Sequence, residues 1–409
     1  MKKLFLIFAI LICFLCVSLF NKPKDNATVI KFSSWGSQSE VSLLLPLIKD
    51  FEKQNPDIKV EFLHIPQNYF QKLHLLFASN LAPDVVFINN YYAPKYIKAG
   101  LLEDLSDFVD KKQYFSKSIE SFTCDNKIYA VPRDVSDLVV YYNKDLFDKY
   151  KIPYPQKNWT LSDYVNIAKK FGQYGIWGTS YETELLYLMP FLMSNGAGVL
   201  SDDSKQFVLN QEQALDTLDF YADIAYKYNV APKKQESASL TMAQLFLQQK
   251  TAMHLSGRWL VPKYRQEAKF DWDIVAFPSG TKGSVVNIDS SGYALSKSSR
   301  NKEAALRFID YISSKGALSE LAKSGLIVPA RKDVAYSDCF LDKTQKPANA
   351  NVFVDIIESG KVTPVNENYQ KINDKLNVLL EPLFTGKKNA RQVVTDTAVN
   401  EMNRLLNTP

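Results

Sequence analysis

Apolar residues along this chain switch repeatedly between a spacing of two and a spacing of three to four. Thr28 to Phe32 is β-prone, and Val41, Leu44, Leu45, Ile48 and Phe51 then fall on one face of a helix. Ile58, Val60 and Phe62 alternate as a half-buried strand does, and Tyr69 to Ala78 returns to helical spacing. Asp84 to Ile88 is a short, nearly continuous apolar run, the pattern of a strand covered on both faces in a parallel sheet. This strand–helix–strand–helix–strand order predicts a doubly wound α/β unit, with ligands beyond the carboxyl ends of its strands.

Further along, two strand-like runs, Ile128 to Val131 and Leu138 to Tyr142, flank a polar break containing Arg133, Asp134, Ser136 and Asp137. Pro132 lacks a backbone donor, so a sheet is expected to end or change there and the chain to cross between two lobes. Asn143 is placed to cap a helix, with Asp145 in its first turn. Thr160-Leu161-Ser162-Asp163 reads as a capping box ahead of Tyr164 to Phe171. Ala214, Leu218, Tyr221 and Ala225 share a helix face. Strands are expected at Thr251 to Leu255, Trp272 to Phe277 and Gly292 to Ser296, the last leading into a helix from Glu303 to Ser313. Val394, Ala398, Met402 and Leu405 predict one helical face in the tail.

The first residues break this pattern. Lys2 and Lys3 precede Leu4 to Phe20, an apolar run broken only by Ser18, Cys13 and Cys16. That is an export or anchor segment, followed by a polar tether. A cysteine late in such a run makes Cys16 the candidate for a lipid anchor, with an uncleaved anchor and simple secretion as alternatives. Cys124 and Cys339 remain in the body, either as one disulfide of an exported protein or as two free thiols. The 409 residues suit two lobes, and 46% hydrophobic with 23% charged residues is a globular composition. A net charge of +5, with no clustered basic face, gives no footprint for nucleic acid. The cysteine spacing forms no local zinc site, and neither a metal nor a cofactor is expected.

Several short motifs occur in one order behind the export segment. They are Ala82-Pro83-Asp84-Val85-Val86-Phe87, Ala99-Gly100-Leu101-Leu102, Tyr129-Ala130-Val131-Pro132, Tyr142-Asn143-Lys144-Asp145-Leu146-Phe147, Thr160 to Tyr164, Gly257-Arg258-Trp259, Phe277-Pro278-Ser279-Gly280, and Ala304-Ala305 with Phe308-Ile309. Together they resemble the extracellular solute-binding proteins of ABC importers, of the carbohydrate-binding, maltose-binding-protein-like type, over nearly the whole mature chain. The resemblance implies a two-lobed α/β fold of the periplasmic-binding-protein kind (type II), each lobe a mostly parallel sheet flanked by helices, with a cleft between them. It implies a signal or anchor at 1–20, a tether at 21–27, a first lobe at 28–131 plus 287–335, and a second at 132–286 plus 336–409. It further implies a monomer outside the cytoplasm, tethered to the membrane by a lipid or its own N-terminus. Such a protein captures a carbohydrate and presents it to the transmembrane subunits of a permease.

A saccharide has apolar C–H faces and a rim of hydroxyls, so aromatic rings beside amides, carboxylates and guanidiniums are the groups to look for. Trp35, Ser37 and Gln38 follow the first strand, where Gly36 permits a close backbone approach; a buried Trp and a helix cap are the plainer alternative. Asn90 and Tyr91 follow the third strand likewise, with tyrosines where the resemblance implies charged sugar contacts. Asp134, beside Arg133, is either a ligand contact or half of an interlobe salt bridge. Glu184 stands ahead of Pro190 at the spacing the resemblance gives a sugar-contacting carboxylate, with Tyr181 and Glu182 nearby and Leu186 and Met189 where aromatic partners are expected. Trp259, beside Arg258, occupies the position that stacks a sugar ring in the family. Asp289 and Ser291 read as a turn before a strand, near the cleft or simply a turn. Arg331 and Tyr369 complete the candidates.

The chain has no Gly-x-x-x-x-Gly-Lys-Ser/Thr run, no Gly-x-Ser-x-Gly elbow and no His-Glu-x-x-His pair, so binding with lobe closure is expected rather than chemistry. Two rival readings stand beside it. The cargo is an anionic sugar or glycerol phosphate held by Arg133, Arg258 or Arg331. Or the chain is an exported glycosidase using Glu182 or Glu184 as its acid–base pair.

Overall fold

The computed structural model describes residues 27–237 and 239–408. The apolar N-terminal run and Cys16 lie outside the described residues. Strands are numbered in chain order: β1 (Thr28–Ser34), β2 (Ile58–His64), β3 (Val85–Asn89), β4 (Thr123–Cys124), β5 (Lys127–Ile128), β6 (Val131–Ser136), β7 (Val139–Asn143), β8 (Met253–Ser256), β9 (Trp272–Val275), β10 (Asn287–Leu295), β11 (Val328–Pro329) and β12 (Lys361–Val362).

The larger sheet runs β11-β6-β10-β3-β1-β2, with β12 also paired to β10. β1 lies parallel to both β2 and β3, the doubly wound start read from the sequence. Its Ile30 and Phe32 are buried, and the Phe32 ring lies 5.2 Å from that of Phe308. Phe308 belongs to the helix Lys302–Ile312, which buries Ala304, Ala305, Phe308, Ile309 and Ile312 against the sheet. Each large apolar side chain removed from water in this way contributes about 1.5–3 kcal/mol. The helix Gln38–Gln54 covers the same region with Val41, Leu44, Leu47, Ile48 and Phe51, whereas Leu45 stays 40% exposed.

The smaller sheet, β8-β7-β9, is antiparallel throughout, so the parallel pairing expected of both sheets is confined to the larger one. The larger sheet is itself mixed, because β10 runs against both β3 and β6. β10 brings the chain back from the smaller sheet, and no crossover helix intervenes to reverse it.

Four local expectations are corrected. The larger sheet does not end at Pro132; β6 runs through it to Ser136. Pairing with β10 jumps from Asp134↔Ser291 to Pro132↔Gly292, leaving Arg133 as the extra residue of a bulge, which is where a proline is tolerated. Ile128 and Val131 lie in different strands, since β5 folds back on β4. Asp289 and Ser291 lie within β10 rather than in a turn, because two neighbouring strands pair with that segment. The tail is two helices, Ala390–Val393 and Asp396–Leu406, broken where the Thr395 side chain accepts from the amide of Ala398. Val399, Met402 and Leu406 form the buried face of the second.

The capping box forms as expected: the Asp163 amide donates to Thr160 Oγ1 at 3.1 Å and the Thr160 amide to Asp163 Oδ2 at 2.9 Å. Cys124 and Cys339 are unpaired thiols. Among the described residues no helix is long and apolar enough to cross a membrane.

Candidate functional site

One cavity joins the turn after β3 to the loop 180–184, a second joins that loop to the turn after β8, and the loop after β1 packs behind the first through Trp35 and Phe70. Their polar groups differ in whether the protein already satisfies them.

After β1, Gly36 adopts a φ of +125°, and a Cβ there would sit 2.4 Å from Glu40 Oε2. Glycine therefore lets Glu40 turn inward to its partner. Arg133 Nη1 reaches Glu40 Oε1 at 2.5 Å, Arg133 Nη2 reaches Asp134 Oδ2 at 2.6 Å, and the guanidinium lies 4.1 Å over the Phe87 ring. Asp134 Oδ1 in turn accepts from the Ser291 amide at 3.1 Å. Every one of these partners belongs to the larger sheet or to the helix packed on it, so the expected interlobe salt bridge is an internal one.

After β3, Asn90 and Tyr91 close around Asp289, which is 4% exposed. Asn90 Nδ2 donates to Asp289 Oδ1 at 2.9 Å; Asn287 Nδ2 and the Tyr91 hydroxyl donate to Oδ2 at 2.7 and 2.5 Å. Burial pushes the Asp289 carboxyl up, against the pull of its hydrogen bonds from Tyr91, Asn90 and Asn287. The network holds Tyr91 stacked on Tyr369, ring centroids 5.4 Å apart. These two rings line a cavity of about 380 Å³ together with Tyr92, Glu184, Met189 and Asn373. Behind Tyr92 runs an aromatic ladder: its ring lies 3.6 Å from Phe70, and Phe70 lies 5.4 Å from Trp35.

The loop 180–184 is fixed at both ends. Ser180 Oγ accepts from the Leu255 amide in β8 at 3.1 Å, and the Tyr221 hydroxyl donates to the Glu182 carbonyl at 2.6 Å. Glu184 then stands at the start of the helix Leu185–Ser194 without capping it through its side chain. On the other side, β8 is followed by Gly257, where a Cβ would fall 1.9 Å from the Trp259 ring. The missing side chain lets the indole fold back over the backbone.

Trp259, Glu182, Glu184, Tyr181 and Tyr187 therefore meet around a second cavity of about 480 Å³. Glu184 lines both cavities. The Glu182 carboxyl is pushed up to about 7, first by burial and then by the charge of Glu184. His254, deeper in the wall, is lowered to about 3 by burial and stays neutral. The Tyr181 hydroxyl is buried with no hydrogen-bond partner.

A profile of the family described as bacterial extracellular solute-binding protein matches residues 35–318. The chain belongs to that family. One relative of this solute-binding protein is the galactooligosaccharide-binding protein of Bacillus subtilis, 22% identical over 397 residues, covering 92% of this chain and 91% of the relative. Among solved structures, an ABC substrate-binding protein of Listeria monocytogenes in complex with cycloalternan superposes with a TM-score of 0.83 at 27% identity, covering 93% of this chain and 98% of that one. The maltose-bound MalE3 protein of T. maritima gives 0.79 at 22% identity, covering 93% and 99%. The two-lobed α/β architecture is that of these binding proteins.

Within the solute-binding protein the sequence candidates separate into four groups. Trp259, Glu184 and Tyr91 line the two cavities. Asn90, Asp134, Asp289 and Ser291 are tied into the hydrogen bonds of the larger sheet, and Trp35 packs 4.1 Å from Phe87. Ser37 and Gln38 are exposed at the start of the helix Gln38–Gln54, which Ser37 caps by accepting from the Glu40 amide. Arg258 and Arg331 face elsewhere. Arg258 is 3% exposed, its guanidinium 4.1 Å from the Phe340 ring and 5.2 Å from Phe353, with none of its three nitrogens hydrogen-bonded. Arg331 pairs with Asp333 at 3.0 Å, close to Tyr114. Sequence reasoning missed Tyr187 and the amides Gln370, Asn373 and Asn377. The amides did leave a signal, since they recur at helical spacing along Tyr369–Phe384.

Proposed function

We propose that this solute-binding protein captures a sugar or oligosaccharide between its lobes and presents the closed, loaded form to the membrane subunits of an ABC permease. The observation that carries this reading is that Trp259, Glu182, Glu184 and Tyr187 line one cavity, which shares Glu184 with another walled by Tyr91 and Tyr369. Rings cover sugar C–H faces while carboxylates and amides take hydroxyls. The ligands of relatives and neighbours, galactooligosaccharide, cycloalternan and maltose, support a carbohydrate.

In this reading the lobes are residues 28–136 with 287–335, and 137–286 with the remainder. The first crossing then follows Ser136, where β6 leaves the larger sheet. A ligand shifts the open–closed equilibrium only through contacts that differ between the two states, which a site lined from both lobes supplies. Micromolar capture needs about −8 kcal/mol, within reach of two stacked rings and several hydrogen bonds to charged groups. The protein acts as a monomer outside the cytoplasm, held at the membrane through Cys16 or the uncleaved N-terminal run.

The anionic alternative loses its proposed ligands. Arg133 is bonded to Glu40 and Asp134, Arg258 is enclosed by phenylalanines, and Arg331 is paired with Asp333. The glycosidase alternative needs two carboxylates across a bond, whereas Glu182 and Glu184 lie two residues apart in one loop.

The test is thermal shift of the exported chain across neutral mono- and oligosaccharides, followed by calorimetry on hits. A ligand at 100 times its dissociation constant adds about 2.7 kcal/mol of stability. Stabilisation by at least one carbohydrate, without turnover, is expected. Silence across the panel at millimolar concentration sinks the reading.

A further inference from the structure

Two buried charges stand apart from both cavities. Asp137 is the first residue after β6, in the two-residue link Asp137-Leu138 that leads to β7. It is 1% exposed, and among the described residues neither of its carboxylate oxygens has a hydrogen-bond partner. Arg258 is in the same condition at all three of its guanidinium nitrogens. A buried charge with no partner is strongly destabilising, so two of opposite sign are expected to answer one another.

The β7–β8 ladder sets these two across from each other. Val139 pairs with Ser256 and Tyr141 with His254, in antiparallel register. Gly257 continues the extended backbone, with φ −98° and ψ −179°. Two steps along the same register, Asp137 falls opposite Arg258, on the strand face of Val139 and Tyr141. The electrostatics agree with that placement. Burial pushes the Asp137 carboxyl well up, and the charge of Arg258 is the first influence opposing it. Burial lowers Arg258 to about 10; Tyr141 and Asp137 pull it back up, while Arg265 adds to the fall.

Arg258 also opens the short 3-10 helix Arg258–Leu260, so Trp259 is the next residue. The Arg258 guanidinium rests on the Phe340 and Phe353 rings, and the Tyr141 hydroxyl donates to the Gly257 carbonyl at 2.8 Å. The backbone and the side chain immediately before the indole are thereby held, and the indole itself lines the cavity.

We infer that Arg258 and Asp137 are positioning residues for Trp259: a buried charge pair through which the first crossing holds the turn that presents the indole. The inference deepens the carbohydrate reading, on which the role of Trp259 rests, by tying the ring to the crossing between the lobes. Asp137 sits in the link itself, so a bend there changes its separation from Arg258 and with it the pull on the turn.

The experiment labels the exported chain with 5-fluorotryptophan and reads a fluorine resonance from each of its five tryptophans, with no ligand present. Trp259→Phe identifies the resonance of interest. Arg258→Met, which keeps an unbranched apolar side chain against the phenylalanines, is expected to shift or broaden it while those of Trp35, Trp159 and Trp177 stay in place. Asp137→Asn changes the charge at nearly constant size. It is expected to move the Trp259 resonance on its own and to have no further effect once Arg258→Met is present. An unmoved Trp259 resonance in Asp137→Asn shows the carboxyl to be neutral already and overturns the inference. An Asp137→Asn shift that survives in the double variant, or one spread equally over all five tryptophans, overturns it too. Should Arg258→Met fail to fold, Asp137→Asn alone decides, by whether Trp259 responds apart from the other rings. None of these failures touches the carbohydrate reading, which falls only with silence across the sugar panel.

Discussion

Two polar regions of the molecule are in opposite states. On the larger sheet, Arg133 pairs with Glu40 and Asp134, and Asp289 accepts from Asn90 and the Tyr91 hydroxyl. In the loop 180–184 tied to the smaller sheet, Glu182 and Glu184 line a cavity and the charge of Glu184 acts against that of Glu182. Both regions are rich in carboxylates, and both were candidates from the sequence. The difference lies in whether the protein itself supplies the opposite partner. Where it does, the charge shapes a wall; where it does not, the charge is available to a guest.

The strongest test of that contrast is Arg133→Met. It leaves Glu40 and Asp134 buried without their cation, which costs about 3–5 kcal/mol of folding stability. Urea unfolding should show the midpoint falling at an unchanged slope. A loss below about 1 kcal/mol would show that water replaces the guanidinium and that this region is not a sealed network.

Trp259→Ala acts on the opposite side. The residue is half-buried at the cavity, so ligand affinity should fall by about 2 kcal/mol or more while urea stability changes little. Calorimetry with the best carbohydrate reads the first effect. An unchanged dissociation constant would remove Trp259 from the site.

A smaller effect comes from pH. The Glu182 carboxyl is raised from 4.5 to about 7 in the folded protein, so folding favours its protonated form. Its contribution to stability is complete below pH 4.5 and is lost as pH rises through 7. Melting temperature of the ligand-free protein should therefore decline across that interval, and Glu182→Gln should remove on the order of 1 kcal/mol of the decline. An identical pH profile in the variant would place Glu182 in open water and dissolve the contrast.

The smallest effect is expected at Arg331. Its pair with Asp333 joins near neighbours in sequence, and Asp333 is 41% exposed. Arg331→Gln should change stability and affinity by less than about 0.5 kcal/mol each. A tenfold loss of affinity in calorimetry would restore Arg331 to the site.

Much of the architecture was readable residue by residue. The parallel β1–β3 core, the Thr160 cap and the position of Trp259 after β8 each follow from a few adjacent residues. The errors are of one kind. Pro132 read as a stop, and the Asp289-Ser290-Ser291 segment read as a turn, because those residue types break strands locally. In the fold, β10 pairs with both β3 and β6, and a bulge at Arg133 absorbs the proline. Arg258 was attractive as a ligand contact because it adjoins Trp259, yet consecutive side chains there diverge, one to a cavity and the other to a phenylalanine pair.

The order of strands and helices, the apolar leader and the family likeness were determined by the sequence, because hydrophobic period, capping and chain order are properties of neighbouring residues. The tertiary structure decided which charges are free. Arg133 finds Glu40 across 93 residues, and Asn90 finds Asp289 across 199. A carboxylate carries the same letter whether or not a guanidinium meets it, and only folding brings such distant partners within hydrogen-bonding distance.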